Sequence, residues 1–94
     1  MPIVWLSVAV QDVLRIRTYI ADRDPSSAKD VALRIDKSVN LLATMPNVGR
    51  PGRIFGTREL AVQKTPFLVV YRVQNERVEV LRVLHGRQDF PDAL

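Results

Sequence analysis

The sequence predicts an α+β fold of order β-α-α-β-β-β, with a helical hairpin on one face of a small, mainly antiparallel sheet. Two amphipathic stripes with helical spacing come early in the chain, separated by a capping acid followed by proline. Three strand-like segments follow, joined by links too short for parallel crossovers. Two helices can cover one face of such a sheet. With 94 residues, we expect a single domain over residues 1–94.

The first strand and the first helix are predicted from one short apolar run and the periodic segment after it. The run Ile3 to Leu6 is rich in branched and aromatic side chains, which indicates a strand. Ser7 is the expected N-cap of a helix from Val8 to about Arg23. Asp12 and Arg15 fall one turn apart, and we assign them to the outer face of this helix.

The second helix has clearer boundaries. Asp24 precedes Pro25, which is the pattern of a capping acid followed by proline at the first helical position. Apolar residues then recur every three or four positions from Val31 to Leu42, which predicts a buried stripe. The helix should end near Met45, because proline disfavours helix in the residue before it.

The remaining strands follow a loop, "MPNVGRPGRIFG", that is rich in proline and glycine. The segments "RELAVQ", "FLVVYRV" and "VEVLRVLH" are predicted to be consecutive strands, the second of them central. Side chains alternate across a strand. We expect one set to pack under the helices, namely Phe67, Val69, Tyr71 and Val73. On the last strand, alternation groups Val78, Val80, Arg82 and Leu84. Arg72 and Arg82 should then face outward from an open face near the loop, unless a bulge inverts the pattern.

Composition excludes several kinds of site. The chain has no cysteine and one histidine, so we expect no thiol nucleophile, no metal site and no cofactor. No apolar run approaches 18 residues, and we expect neither a membrane partner nor a small-molecule substrate. The expected location is the cytoplasm.

The net charge is +4, and the excess is concentrated in one part of the chain. Between positions 50 and 72 a single acid, Glu59, stands against five basic residues: Arg50, Arg53, Arg58, Lys64 and Arg72. This concentration favours an anionic partner, either nucleic acid or an acidic protein. The alternative is a solvated basic surface without a particular partner.

Several segments taken together suggest a family. They are Trp5 in the first strand, "YI" closing the first helix, the "P-x-x-A" start at Pro25, "LLATMPNVGRPG", "GTRELAV", "VVYRV" and "VLRVLHGRQDFP". This ordered set, from about Ile3 to Pro91, resembles the RelE/ParE superfamily of toxins from bacterial toxin–antitoxin pairs. The resemblance implies the same β-α-α-β-β-β fold, and a small cytoplasmic toxin neutralised by a cognate antitoxin that wraps it.

The superfamily has two branches with different biochemistry. RelE-like members cut messenger RNA on the ribosome, whereas ParE-like members poison DNA gyrase. The ending "VLHGRQDFP" and the join "GRPGR…GTREL" resemble ParE-like members. The resemblance therefore implies a gyrase inhibitor. A ribosome-dependent endoribonuclease and a non-toxic, partner-binding homologue remain the alternatives.

A nuclease would need cations for the phosphate and a group that transfers protons. In the nuclease branch, basic residues of the sheet and a late tyrosine or histidine take these roles. The matching residues here are Arg58, Arg72, Arg82 and His85. However, Gly86 stands where nuclease members often carry tyrosine, and Glu59 should face away from Arg58. We interpret His85 as the end of the last strand, bonded to backbone or tail groups, with catalysis as the alternative.

A toxin that acts by binding needs a contact surface instead. The candidate residues for binding the target or the antitoxin are Arg50, Arg53, Arg58, Arg72, Arg82 and Arg87. The helical hairpin is a second candidate surface. The expected partners are a cognate antitoxin and DNA gyrase, or alternatively the ribosome and its messenger RNA.

Overall fold

The computed structural model describes residues 1–91, and the predicted element order is confirmed. The elements are β1 (Ile3–Trp5), α1 (Ser7–Ala21), α2 (Pro25–Leu41), β2 (Arg50–Pro51), β3 (Arg58–Ala61), β4 (Phe67–Gln74) and β5 (Arg77–His85). The sheet has the order β1-β5-β4-β3-β2, with β1 parallel to β5 and every other pair antiparallel. The two-residue strand β2 was not predicted, because it lies in the segment rich in proline and glycine. Across residues 1–91, no helix combines the length and apolar character needed to span a membrane.

The two helix starts differ in how they are capped. Asp24 caps α2 as predicted, because its Oδ1 accepts the backbone N–H groups of Ser26 and Ser27 at 3.2 and 3.3 Å. The predicted cap of α1 is wrong. Ser7 is the first residue of that helix, Leu6 is its N-cap, and no side chain caps it. The chain passes directly from β1 into α1, since Leu6 N–H still bonds the Val80 carbonyl at 3.0 Å.

The main core lies between the hairpin and the sheet. Phe67, Val69 and Tyr71 of β4 face it as predicted, whereas Val73 is 39% exposed near the strand end. Tyr71 is fully buried, and its hydroxyl donates to the Pro46 carbonyl at 2.8 Å and accepts Gly49 N–H at 2.9 Å. Burial raises the pKa of Tyr71 despite the opposing bond from Gly49.

A β-bulge changes the alternation along β5. The pairing with β4 jumps from Val80 to Arg82, which leaves Leu81 as the extra residue. Beyond the bulge, Val83 joins Val80 in the main core. The predicted grouping of Arg82 and Leu84 with Val80 is therefore wrong.

The face away from the helices is not open. Leu68, Val70, Leu81 and Leu84 are all buried, although they lie outside the main core cluster. Glu59 and Glu79 are also buried, at 3% and 4% exposure. Buried carboxylates need charged or hydrogen-bonding partners, and arginines supply them here.

Candidate functional site

Glu59 on β3 holds two of the predicted contact arginines. Arg50 Nη2 and Arg53 Nε lie 3.2 and 3.5 Å from Glu59 Oε1, and Arg53 N–H donates to Oε2 at 2.8 Å. The Glu59 side chain is 1% exposed, whereas those of Arg50 and Arg53 are 65% and 44% exposed. Glu59 thus anchors the two arginines from below, and its oxygens are engaged with donors rather than placed to act as a base.

Glu79 on β5 has the same arrangement with a second pair of arginines. Arg72 Nε bonds one carboxylate oxygen, and Arg77 bonds the other through Nε at 2.9 Å and Nη2 at 2.6 Å. The bonds from Arg72, followed by those from Arg77, hold the pKa of Glu79 below its usual value. Arg72 therefore lies on the face away from the helices, as predicted, but it is paired.

Arg58 has backbone partners. Its Nη1 donates to the Gly49 carbonyl at 2.8 Å and to the Asn47 carbonyl at 3.4 Å. Arg58 lies opposite Tyr71 in the sheet, while Glu59 lies opposite Val70. Glu59 and Arg58 therefore face opposite sides, as predicted, and Arg58 helps to fix the segment before β2.

Arg82 lies opposite Val70, on the sheet face that also carries Arg72, as predicted, but its guanidinium reaches α1 and is paired there. Its Nε and Nη2 bind Asp12 Oδ2 and Oδ1 of α1 at 2.8 and 3.0 Å. The same carboxylate accepts Val83 N–H at 2.9 Å and a bond from Arg15 at 2.9 Å. The bonds with Asp12 raise the pKa of Arg82, so its guanidinium stays charged.

Asp12 is 4% exposed, and its predicted place on the outer face of α1 is wrong. Strand β1 pairs with β5 only from Val78 to Val80. Beyond that stretch, the Asp12 carboxylate accepts the Val83 N–H that would otherwise lack a partner strand. The spacing in the sequence does indicate that Asp12 is buried, because it follows the buried Ala9 by three residues and precedes the core-packed Ile16 by four.

His85 ends β5, as the sequence predicts. Its N–H donates to Gln88 Oε1 at 2.8 Å, and its ring Nδ1 accepts Arg87 N–H at 3.0 Å. The ring meets Phe67 edge-on, with centroids 5.7 Å apart. Because Nδ1 accepts a bond, the neutral ring carries its proton on Nε2. Within residues 1–91, no hydrogen bond links His85 to Arg58, Arg72 or Arg82, although Arg82 and His85 line the same groove.

The tail after β5 packs against the loop that carries β2. The guanidinium carbon of Arg53 lies 3.8 Å above the centroid of the Phe90 ring, and its Nη2 is 3.5 Å from the Gly86 carbonyl. Arg87, which is exposed, follows directly in the chain. The loop and the tail therefore bring Arg50, Arg53 and Arg87 into one region of the surface.

A groove of about 760 Å³ runs beside α1. We call it the α1 groove. Its floor is mainly apolar, and cations of Arg15, Lys64 and Arg82 lie along it. The complete lining is Asp12, Arg15, Ile16, Tyr19, Ile20, Val31, Lys64, Thr65, Pro66, Phe67, Arg82, Val83, Leu84, His85 and Gln88. The groove thus joins α1 to the start of β4, to the end of β5 and to the start of the tail.

Comparison with known proteins agrees with this architecture. Residues 3–90 match the family described as the ParE toxin of the type II toxin–antitoxin system parDE. Y4kP of Sinorhizobium fredii, a candidate toxin, is 40% identical over 90 residues, covering 96% of this chain and 93% of that protein. Toxin RelE2 of Caulobacter vibrioides is 34% identical over 84 residues, covering 89% and 93%.

A solved structure of the chromosomal ParDE toxin–antitoxin system from P. aeruginosa has the same fold. It aligns with a TM-score of 0.83 and 25% identity, covering 90% of this chain and 95% of that one. The fold and the family match define a RelE/ParE superfamily toxin. The chain belongs to the ParE toxin family of type II toxin–antitoxin systems.

Proposed function

We propose that this toxin acts by binding DNA gyrase and stabilising the state in which the enzyme has cut DNA. A cognate antitoxin would neutralise the toxin by occupying its contact surfaces. Gyrase works on chromosomal and plasmid DNA, so we propose the cytoplasm as the location. The candidate target contacts are the exposed guanidinium groups of Arg50, Arg53 and Arg87, which the loop and the tail hold together.

One observation carries this proposal: the side chains that could transfer protons are already engaged in structural contacts. Tyr71 is buried with its hydroxyl bonded on both sides, and His85 Nδ1 is already bonded to the tail. The buried acids Asp12, Glu59 and Glu79 are each held by arginines. These side chains are committed to structure, while the cations they support remain partly exposed. Such a surface supports binding better than general acid–base catalysis.

The α1 groove is the proposed site for the antitoxin. Its apolar floor suits the apolar face of an amphipathic segment, and the cations along it suit acidic flanking residues. Tyr19 is 61% exposed and extends the floor outward along α1. We therefore propose that an acidic, amphipathic segment of the antitoxin lies along α1 in this groove.

The gyrase proposal is tested with purified toxin, gyrase, ATP and plasmid. Linear DNA released by detergent and protease reports trapped cleavage complexes. We expect linear DNA to accumulate with toxin, and to disappear when the toxin is first mixed with its antitoxin. A folded toxin that inhibits growth but leaves no linear DNA would contradict the proposal.

The alternative, ribosome-dependent cleavage of messenger RNA, is kept because one relative is named Toxin RelE2. In that case Arg58, Arg72, Arg82 and His85 would have to gather around one phosphate. Their present partners would have to be exchanged first, since Arg72 and Arg82 are paired with Glu79 and Asp12.

A further inference from the structure

The loop from β2 into β3 presents an aromatic ring to solvent. We call residues 50–58 the arginine loop, because it contains Arg50, Arg53 and Arg58. Phe55 near its tip has a relative exposure of 103%, the highest of any large hydrophobic residue in the described chain. It is also the one large hydrophobic side chain of residues 50–58 that is exposed. A ring held in water in this way has no role in the core.

The backbone around Phe55 is tightly held, so the ring is presented from an ordered loop. Gly52 N–H bonds the Thr57 carbonyl at 2.8 Å, and the Ile54 carbonyl accepts both Thr57 N–H at 3.1 Å and the Thr57 hydroxyl at 2.6 Å. Gly56 has a φ of 82°, a conformation that glycine adopts without strain. The loop is therefore preorganised, and binding through Phe55 loses little conformational entropy.

The surroundings of Phe55 are positively charged. Arg50 and Arg53 share the single carboxylate of Glu59, and Arg58 bonds neutral carbonyl groups. The loop therefore has an excess of positive charge, to which Arg87 of the tail adds. Polyanions are attracted to such a surface.

A lone ring among cations fits a nucleic acid better than a protein. Protein hot spots are aromatic residues set within a packed patch that excludes water, whereas Phe55 is the one fully exposed large apolar side chain of the arginine loop. Sites for single strands combine cations for the backbone with separate aromatic rings that stack on bases. We propose that Phe55 stacks on an unpaired base of single-stranded DNA, while Arg50, Arg53 and Arg87 contact the flanking phosphates. The choice of DNA rests on the proposed function, since gyrase holds DNA.

The test is fluorescence anisotropy with full-length toxin and a labelled oligothymidine of about 20 nucleotides. We expect Phe55→Ala to raise Kd about tenfold, because the stacked ring is lost. Phe55→Leu should weaken binding to a similar extent, because leucine is apolar but has no π face, whereas Phe55→Trp should retain affinity. Leu33→Ala on α2 is the matched control, since that side chain is 60% exposed and far from the loop in sequence, and it should change nothing.

The salt dependence of the binding constant measures the phosphate contacts separately from the stacking of Phe55. Arg50→Gln should reduce the slope of log K against log salt by about 0.7, the value for one phosphate contact on a single strand. No binding by folded wild-type protein, equal affinity of wild type and Phe55→Ala, or binding to oligouridine alone would each overturn the proposal. Gyrase is not in this assay, so failure of the gyrase proposal would leave its result unaffected.

Discussion

At the scale of single residues, His85 separates the two mechanisms. Its Nδ1 and backbone N–H are both bonded to the tail, and its ring packs on Phe67. We expect His85→Ala to retain most of the toxicity, because the cost is one neutral hydrogen bond and a ring contact, about 1 kcal/mol of stability. The measurement is growth inhibition after induced expression without antitoxin.

The growth assay needs a control variant that has lost its toxicity. Val39→Asp places a charge in the fully buried core and should abolish toxicity by unfolding the protein. Loss of toxicity in His85→Ala, with circular dichroism equal to that of wild type, would show that the imidazole takes part in chemistry.

Glu79 predicts how stability depends on pH. Arg72 and Arg77 lower the pKa of this carboxyl from its ordinary value of 4.5, so the ionised form stabilises the folded state. That contribution is fully present above pH 4.5 and is lost as the pH falls through the lowered pKa. The difference in unfolding free energy between wild type and Glu79→Gln should therefore shrink below pH 4.5. Denaturant titrations at several pH values measure it, and a difference that grows toward acid would contradict the pairing.

At the scale of elements, Asp12 ties α1 to β5. Asp12→Ala leaves the Arg82 guanidinium and Val83 N–H without their partner, so we expect a loss of about 1–3 kcal/mol. The double variant Asp12→Ala with Arg82→Met should recover part of this loss, because the unpaired charge is then removed as well. Urea denaturation of both variants and of wild type provides the comparison. Equal stability of the single and double variants would argue against the ion pair as the link.

Many features of the helices and strands could be predicted from the sequence. The stripe of α2, its Asp24–Pro25 start and the alternation from Phe67 to Tyr71 in β4 depend on local spacing, and all three are confirmed. The partner of Arg82 could not be predicted, because the bulge at Leu81 leaves no distinctive pattern in an apolar strand and changes the alternation after it.

The candidate surfaces were only partly predictable for a related reason. The concentration of arginines is visible in the sequence, but their partners come from strands distant in the chain, as Arg72 with Glu79 shows. Phe55 is apolar, and its exposure depends on the loop bonds around Thr57 rather than on its own type.

At the scale of the whole molecule, the α1 groove predicts where the antitoxin binds. Tyr19→Asp places a negative charge where we propose an acidic segment lies, so it should weaken antitoxin binding at least tenfold, as expected for charge repulsion and loss of an aromatic contact. Leu33→Asp is the matched control, because that side chain is equally exposed, lies on α2 and does not line the α1 groove. Isothermal titration of each variant with the antitoxin gives the two affinities. Equal weakening by both variants, or by neither, would place the antitoxin elsewhere.

We propose that this ParE-family toxin acts on gyrase by binding. The most direct test assays one preparation of toxin in parallel against gyrase with plasmid and against ribosomes translating a defined messenger RNA. We expect linear plasmid in the first reaction, prevented by antitoxin, and intact messenger RNA in the second. Cut messenger RNA together with unaffected plasmid would contradict it, and would assign the toxin a RelE-like activity.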